Sequence, residues 1–253
     1  MPVERGFIPR SHRIASSGTH MTYEFDFAAI FTGEYPALML RGLLTTLALT
    51  GLAWVLAMGL GSVMAVIRLT GSRTANAIIW TFVAFHRNVP MLVHIMLWYF
   101  GIGAILPISI GDWLNRNGSE FILAMIAIGL VMSAYVTEDL RSAVRAIPGG
   151  QMEASRALGL SYLQSMRKII LPQAFRIAIP PLLNQTLLLF KNTSLAMAIG
   201  VVELTAAGRE IENYTFRTFE AFAVVTVTYL CISFLIMWAG SVLAKRYQFI
   251  GRR

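Results

Sequence analysis

The segment Glu153–Pro172, EASRALGLSYLQSMRKIILP, is the polar exception in a chain that is otherwise apolar enough to lie in lipid. Several of its side chains would be costly to bury in hydrocarbon, namely Glu153, Arg156, Ser161, Gln164, Arg167 and Lys168. The leucines and isoleucines between them supply an apolar face of the kind that packs against another protein. The contrast predicts a membrane protein that presents a docking element to a soluble partner.

The composition of the whole chain is that of an integral membrane protein. Of its 253 residues 56% are hydrophobic and 13% are charged, whereas soluble domains carry about 25% charged residues. The net charge of +8 is carried by residues at the ends of apolar segments, and no nucleic-acid-binding motif accompanies it. These positions are typical of topology signals, so nucleic acid is not an expected partner.

The first 20 residues differ in character from the remainder of the chain. They contain arginines among Ser, Gly and Pro, without an apolar run, which excludes a signal peptide and a membrane span there. We expect residues 1–20 to form a disordered tail. Met21 offers an alternative start, in which case the tail would not be translated. Residues 21–253 are predicted to form a single transmembrane domain.

Apolar runs in the remaining chain predict about five transmembrane helices, because a helix needs roughly 20 apolar residues to cross a bilayer. The runs lie within residues 41–68, 75–110, 121–135, 177–202 and 221–244. The third helix is expected to run on through the charged residues at 138–145 until Pro148 breaks it. The second run is expected to be broken near Pro90, which removes a backbone donor. Polar residues predict loops at 112–120 and 203–220. The expected fold is an all-α integral membrane protein.

The distribution of Lys and Arg predicts the orientation of these helices. With five spans, an external N-terminus and a cytoplasmic C-terminus, the linkers on the cytoplasmic side collect most of the basic residues. The outer linkers keep only Arg116, Arg209 and Arg217, as the positive-inside rule requires. This orientation places the segment 153–172 in the cytoplasm.

Polar side chains inside two of the runs are candidates for a substrate path. Arg87 lies in the second run, and Lys191, Asn192 and Ser194 lie in the fourth. Such groups are expensive at membrane depth unless they face a polar interior. Helical spacing places Lys191 and Ser194 on one face, without Asn192. Alternatively, Arg87 extends to the headgroups or holds a neighbouring helix, and Lys191 pairs with an acid such as Glu138 or stabilises a helix break.

The chain has no sequence for hydrolysing ATP. A phosphate-binding loop needs Gly-Lys-Ser/Thr, but Lys168, Lys191 and Lys245 each follow a residue other than glycine. Energy must therefore come from another chain.

An ion-coupled secondary transporter would show an internal repeat, and none is evident. A membrane hydrolase would need a catalytic set that His86 and His94 do not supply, so no catalytic or metal-binding residue is predicted and both are interpreted as packing residues. A structural subunit without transport activity is a further alternative.

The segment 153–172 carries a resemblance to a known family. The pattern Glu153-Ala154-Ser155, three residues, Gly159, nine residues, then Ile169-x-Leu171-Pro172 resembles the EAA loop of ABC-importer permeases, with Ser155 where the motif has its second alanine. Further segments resemble the permeases of polar amino acid importers of the histidine, glutamine and glutamate/aspartate type, at residues 86–93, 134–138, 147–151, 171–174 and 191–195. Residues 191–194, 210–212 and 216–222 look most like glutamate/aspartate permeases.

This resemblance implies a type I ABC importer permease in the bacterial inner (cytoplasmic) membrane, crossing it several times. Such a subunit is a transport protein and not itself an enzyme. Its implied partners are ABC ATPase subunits, a second permease copy or paralogue, an external amino-acid-binding protein and membrane lipid. It would bind no cofactor, and ATP with Mg²⁺ would be held by the ATPase. The substrate would be a polar amino acid, glutamate or aspartate by the closest likeness.

The resemblance also assigns roles within a cytoplasmic coupling loop at about residues 148–172. The residues that would couple to the ATPase are Glu153, Ala154, Ser155, Gly159, Leu171 and Pro172. We expect Gly159 to form the turn between two short helices, and Glu153 to cap the first of them, because acidic groups favour the first turn of a helix.

Overall fold

The computed structural model describes residues 23–247, so the predicted tail at residues 1–20 lies outside the described part of the chain. Throughout that part the ordered elements are helices, and no strand occurs in it. The α-helices are α1 (Tyr35–Leu69), α2 (Arg73–Asn88), α3 (Met91–Met96), α4 (Gly103–Ile105), α5 (Ile108–Arg116), α6 (Ser119–Arg145), α7 (Gly149–Ala157), α8 (Tyr162–Ser165), α9 (Leu171–Asn192), α10 (Leu204–Thr215) and α11 (Thr218–Tyr247). π-helical turns occupy Leu97–Ile102 and Met166–Ile170, and 3-10 turns occupy Ala28–Phe31 and Thr193–Ile199.

The helices that are long and apolar enough to cross a membrane confirm the expected architecture. Three single helices qualify, α1, α6 and α11. Two bent helix pairs add two further spans if each pair crosses the membrane once. The first pair is α2 with Met91–Ile105, which are bent by 107°. The second is Tyr162–Ile199 with α10, bent by 50°. The total of up to five agrees with the number predicted from the apolar runs. The break expected near Pro90 is therefore a sharp bend between two helices.

The centre of the fold is the contact between α1 and α6. Gly61 on α1 is essential to this contact, because a Cβ atom there would lie 2.7 Å from Val136 Cγ1 and 2.9 Å from the Ser133 carbonyl oxygen. The hydroxyl of Thr137 donates to the carbonyl of Gly61 at 3.3 Å. A side chain larger than hydrogen at position 61 would force these helices apart, as is general where small residues pack membrane helices.

Two segments predicted as polar loops are mostly helical. Residues 108–116 form α5, and residues 204–215 form α10. In α10, Leu204, Ala207 and Ile211 are buried on one face. Their helical spacing overrides the polar composition of the segment, because one apolar face is enough to fix a helix against the core.

The third span continues past its apolar run, as predicted, and the fourth begins before its predicted start. Helix α6 continues through Glu138 to Arg145, and α9 begins at Leu171 and includes Pro180 and Pro181. Glu138 accepts hydrogen bonds from Arg68 and from Arg141 (Nη2 at 2.6 Å, Nε at 3.1 Å). This ion-pair cluster lets α6 continue as one helix beyond its apolar part.

The first described residues are fastened to the start of α11. The buried Glu220 carboxylate accepts hydrogen bonds from the Tyr23 hydroxyl and from the backbone N–H of Asp26, the latter at 2.9 Å. The hydrogen bond to Glu220 raises the pKa of the Tyr23 phenol. The Arg217 guanidinium donates to the carbonyl oxygen of Glu24 at 2.6 Å. The turn between α10 and α11 is thus held by the segment that precedes α1.

Candidate coupling element and substrate path

The coupling element, defined as residues 149–170, is a pair of short helices joined at a glycine. Gly159 has φ +84°, a left-handed conformation that favours glycine. The backbone N–H of Gly159 bonds to the Arg156 carbonyl at 3.0 Å, and that of Leu160 bonds to the Ser155 carbonyl at 3.2 Å. These bonds end α7 in the manner of a glycine C-cap. The turn expected at Gly159 is present.

Helix α8 begins with a capping box that the spacing of Ser161 and Gln164 encodes. The Gln164 backbone N–H donates to Ser161 Oγ at 3.3 Å, and the Ser161 N–H donates to Gln164 Oε1 at 2.8 Å. Each side chain satisfies a backbone donor of the other residue. The helix then passes through the π-turn into α9, so the coupling element is continuous with the fourth span.

The expectation that Glu153 caps α7 is wrong. The helix begins at Gly149 after Pro148, so its first turn contains no acidic residue. Glu153 is exposed, and its side chain bonds to no other described residue. Its carboxylate is therefore free to meet another protein, and Ala154 beside it is exposed as well.

Ser155 differs from its neighbours because it faces inward. It is 2% exposed, and its hydroxyl lies 2.7 Å from the buried Ser165 hydroxyl and 2.7 Å from the Met152 carbonyl. Gln173 on α9 donates to Gln151 Oε1 at 2.6 Å. Ser155 therefore fastens α7 to α8, whereas Gln151 fastens α7 to α9.

Two leucines of the apolar face predicted from the sequence are exposed on the coupling element. Leu158 is 82% exposed and Leu163 is 74% exposed, on either side of the glycine turn. Tyr162 is exposed as well, and so are the predicted residues Leu171 and Pro172. Large apolar groups exposed next to Glu153 indicate a protein contact. Leu158 and Leu163 belong to the apolar face that the sequence of residues 153–172 predicts.

A cavity of about 580 Å³ lies between the end of α9 and α11. Lys191, Ser194, Thr205 and Tyr229 line it, and Asn192 does not. Lys191 and Ser194 therefore share one face, as their i, i+3 spacing predicts. Among the residues that the structure describes, no carboxylate lines the cavity. Glu138, named as an alternative partner of Lys191, is instead bound to Arg68 and Arg141. We call this space the lysine cavity.

Glu203, which lies in a segment predicted to be a loop, fixes one wall of the lysine cavity. Its carboxylate is fully buried and accepts hydrogen bonds from the backbone N–H groups of Thr205 and Ala206, both at 2.9 Å. The Tyr229 hydroxyl donates to the same carboxylate at 2.8 Å. Glu203 thus caps α10 and orients Tyr229. An acid directly before a helix with one apolar face was the available signal.

Arg87 does not share the lysine cavity. It lies in a separate cavity of about 470 Å³ between α2 and α6, with its guanidinium 5.1 Å from the ring centroid of Tyr135. We call this space the arginine cavity. The expected path that combines Arg87 with Lys191 is therefore divided between two cavities, because α2 packs against α6 whereas Lys191 faces α11.

The breaks within the two bent helix pairs lie against each other. Helix α3, which follows the 107° bend, packs against the 3-10 turn Thr193–Ile199. At the bend, the rings of His86 and His94 stack with centroids 5.0 Å apart, and both side chains are buried. The two rings thus pack on each other between α2 and α3. Discontinuous helices that meet in this way form the substrate sites of many transporters.

Comparison with known proteins gives a consistent family. Residues 57–249 match the family described as "Binding-protein-dependent transport system inner membrane component". The glutamate/aspartate import permease protein GltJ of Escherichia coli K12 is 32% identical over 214 residues, covering 83% of this chain and 87% of GltJ. The glutamine transport system permease protein GlnP of the same strain is 36% identical over 231 residues, covering 90% of this chain and 100% of GlnP.

A solved structure described as an amino acid ABC transporter with histidines supports the same relationship. It matches with a TM-score of 0.77 and 26% identity, covering 88% of this chain and 100% of the matched chain. The family match, the two relatives and this structure cover the same helical domain, coupling element included. The chain therefore belongs to the family of binding-protein-dependent transport system inner membrane components.

Proposed function

We propose that this protein carries glutamate or aspartate across the bacterial inner membrane. At the coarser level the chain is the permease subunit of an amino acid ABC importer. The observation that carries the acidic substrate is Lys191, a cation in a cavity that no described carboxylate lines. A dicarboxylic amino acid brings one more carboxylate than its amide counterpart, and a lysine ammonium is complementary to it. The likeness to GltJ supports this choice, and the likeness to GlnP makes glutamine the second candidate.

The competition profile of the assembled importer distinguishes these candidates. Proteoliposomes with the permease, its ATPase and its binding protein would take up labelled glutamate in the presence of excess unlabelled amino acids. We expect aspartate to compete strongly, and glutamine and arginine to compete weakly. Equal competition by glutamine would contradict the acidic substrate and leave the amino acid permease function intact.

The coupling element is the proposed contact with an ABC ATPase. Its exposed residues include Glu153 and Ala154 together with the apolar side chains of Leu158 and Leu163. A short helix with such a face fits a groove in a partner. Mg²⁺ and ATP would be bound by that partner. A second permease copy or paralogue would complete the membrane part, with the N-terminus outside and the C-terminus in the cytoplasm, and an external binding protein would deliver the amino acid.

Movement of the coupling element would reach the substrate path through α9. The fourth span is continuous with α8 at one end and carries Lys191 at the other. The bond from Gln173 to Gln151 ties α7 to the same helix. ATP-driven displacement of α7 would therefore move α9 and alter the lysine cavity, in the manner of packed elements with two discrete arrangements.

Ser155→Ala is expected to weaken this transmission without removing the docking face. It leaves the buried Ser165 hydroxyl without its partner, which costs roughly 1–3 kcal/mol. We expect fewer amino acids transported per ATP hydrolysed, while the ATPase still binds the permease. Ser155→Ala with Ser165→Ala removes both hydroxyls and is expected to recover most of the loss. Equal ratios of transport to ATP hydrolysis in the wild type and the single variant would show that the hydroxyl pair is not needed for coupling.

A further inference from the structure

The arginine cavity has more hydrogen-bond donors than acceptors. Arg87, Arg141, Asn88, Tyr135 and Trp80 line it, and Glu138 is its one lining acid. Arg87 contributes a guanidinium that lies over Tyr135 and makes no hydrogen bond to another described residue. A guanidinium presents five N–H donors in a planar fork suited to a carboxylate or phosphate. The cavity therefore offers donors to an anion.

The acidic groups nearby are already bound by other partners. Glu138 accepts from both Arg68 and Arg141. Asp139, within electrostatic range of Arg87, accepts from Gln185 on α9 at 2.9 Å and does not line the cavity. Counted with their charged neighbours, the lining residues carry one more positive than negative charge, since Arg68, Arg87 and Arg141 face Glu138 and Asp139. An added anion would balance this charge.

The surface of α2 around the cavity is apolar and exposed. Ile78 is 66% exposed, Trp80 is 63% exposed and Phe85 is 48% exposed. Trp80 also lines the cavity, so the polar space and the apolar surface are continuous. Tryptophan with arginine at such a boundary is typical of the membrane interface. A ligand that fits both parts is amphipathic, with an anionic head and an apolar tail.

We propose that the arginine cavity binds the headgroup of an anionic phospholipid, with the phosphate on the Arg87 guanidinium and the acyl chains along α2. Basic pockets between membrane helices bind anionic headgroups in this way. The site is separate from the lysine cavity and does not depend on which amino acid is transported. It gives a role to Arg87, which does not line the lysine cavity.

Thermal unfolding of the purified full-length chain in detergent tests this site. Short-chain phosphatidylglycerol is titrated against phosphatidylcholine of the same chain length, inorganic phosphate and glutamate. We expect phosphatidylglycerol to raise the melting temperature of the wild type and the other additives to have no comparable effect. Arg87→Gln is expected to need about tenfold more phosphatidylglycerol for the same shift in melting temperature, because it loses one charge-assisted hydrogen bond to the headgroup.

Two further variants complete the test. Arg116→Gln removes an exposed arginine of α5 and is expected to respond as the wild type does. Arg87→Lys keeps the charge and loses the planar fork, so an intermediate response is expected if Arg87→Gln does not fold. The proposed site would be contradicted if phosphatidylcholine raised the melting temperature as much as phosphatidylglycerol does. It would also be contradicted if both Arg87 variants responded to phosphatidylglycerol as the wild type does. If inorganic phosphate alone raises the melting temperature, the cavity binds a free anion. If glutamate alone raises it, the cavity is a second substrate site. Either result would overturn the lipid assignment.

Discussion

Glu153→Lys is expected to abolish ATP-driven uptake while the permease remains folded and inserted. Glu153 is exposed on α7 and bonds to no other described residue, so the fold does not depend on its charge. At a docked interface, a reversed charge costs several kcal/mol, which corresponds to a loss on the order of a hundredfold or more in affinity for the ATPase. The measurements are uptake in proteoliposomes and retention of the ATPase by the purified permease.

The matched control is Glu34→Lys, because Glu34 is also exposed and precedes α1, far along the chain from the coupling element. This variant is expected to retain the ATPase and to transport normally. Normal uptake by Glu153→Lys would remove Glu153 from the docking face. If both variants lose uptake, the loss follows from the added positive charge and not from position 153.

Lys191→Gln is expected to raise the KM for glutamate uptake by roughly tenfold or more, since a hydrogen bond to a charged group contributes about 1.5–3 kcal/mol. Within residues 23–247, Lys191 is the one charged residue that lines the lysine cavity. Lys191 is exposed to that space, so its replacement leaves the packing of α9 intact. Uptake of glutamate is measured over a range of concentrations of the loaded binding protein. Lys191→Arg keeps the charge and is expected to show a smaller change.

Lys245→Gln is the control for Lys191→Gln, because it removes an exposed lysine near the end of α11 that does not line the lysine cavity. We expect this variant to retain the wild-type KM. An unchanged KM in Lys191→Gln would place the substrate elsewhere, and the junction of α3 with the 3-10 turn Thr193–Ile199 would be the next position to test.

Local sequence patterns determined the class of protein and the coupling hairpin. Membrane-spanning helices have long apolar runs because hydrocarbon admits few other side chains. The number of such runs in the sequence therefore predicts the number of spans. Gly159 identified the turn because a left-handed backbone favours glycine. Lys191 and Ser194 share a cavity because residues three apart share a helix face, which is a property of the helix alone.

Only the tertiary structure decided which of these residues meet. Arg87 and Lys191 looked equivalent as cations in apolar runs, but their helices pack against different neighbours, and the two side chains line different cavities. Ser155 carried the motif of a docking residue, yet the fold of α7 on α8 turns it toward Ser165. Glu203 lay in a polar segment, and its burial depends on Thr46 and Tyr229 from distant helices. Periodicity fixes the face of one helix, whereas the partner of that face is set by packing among all of them.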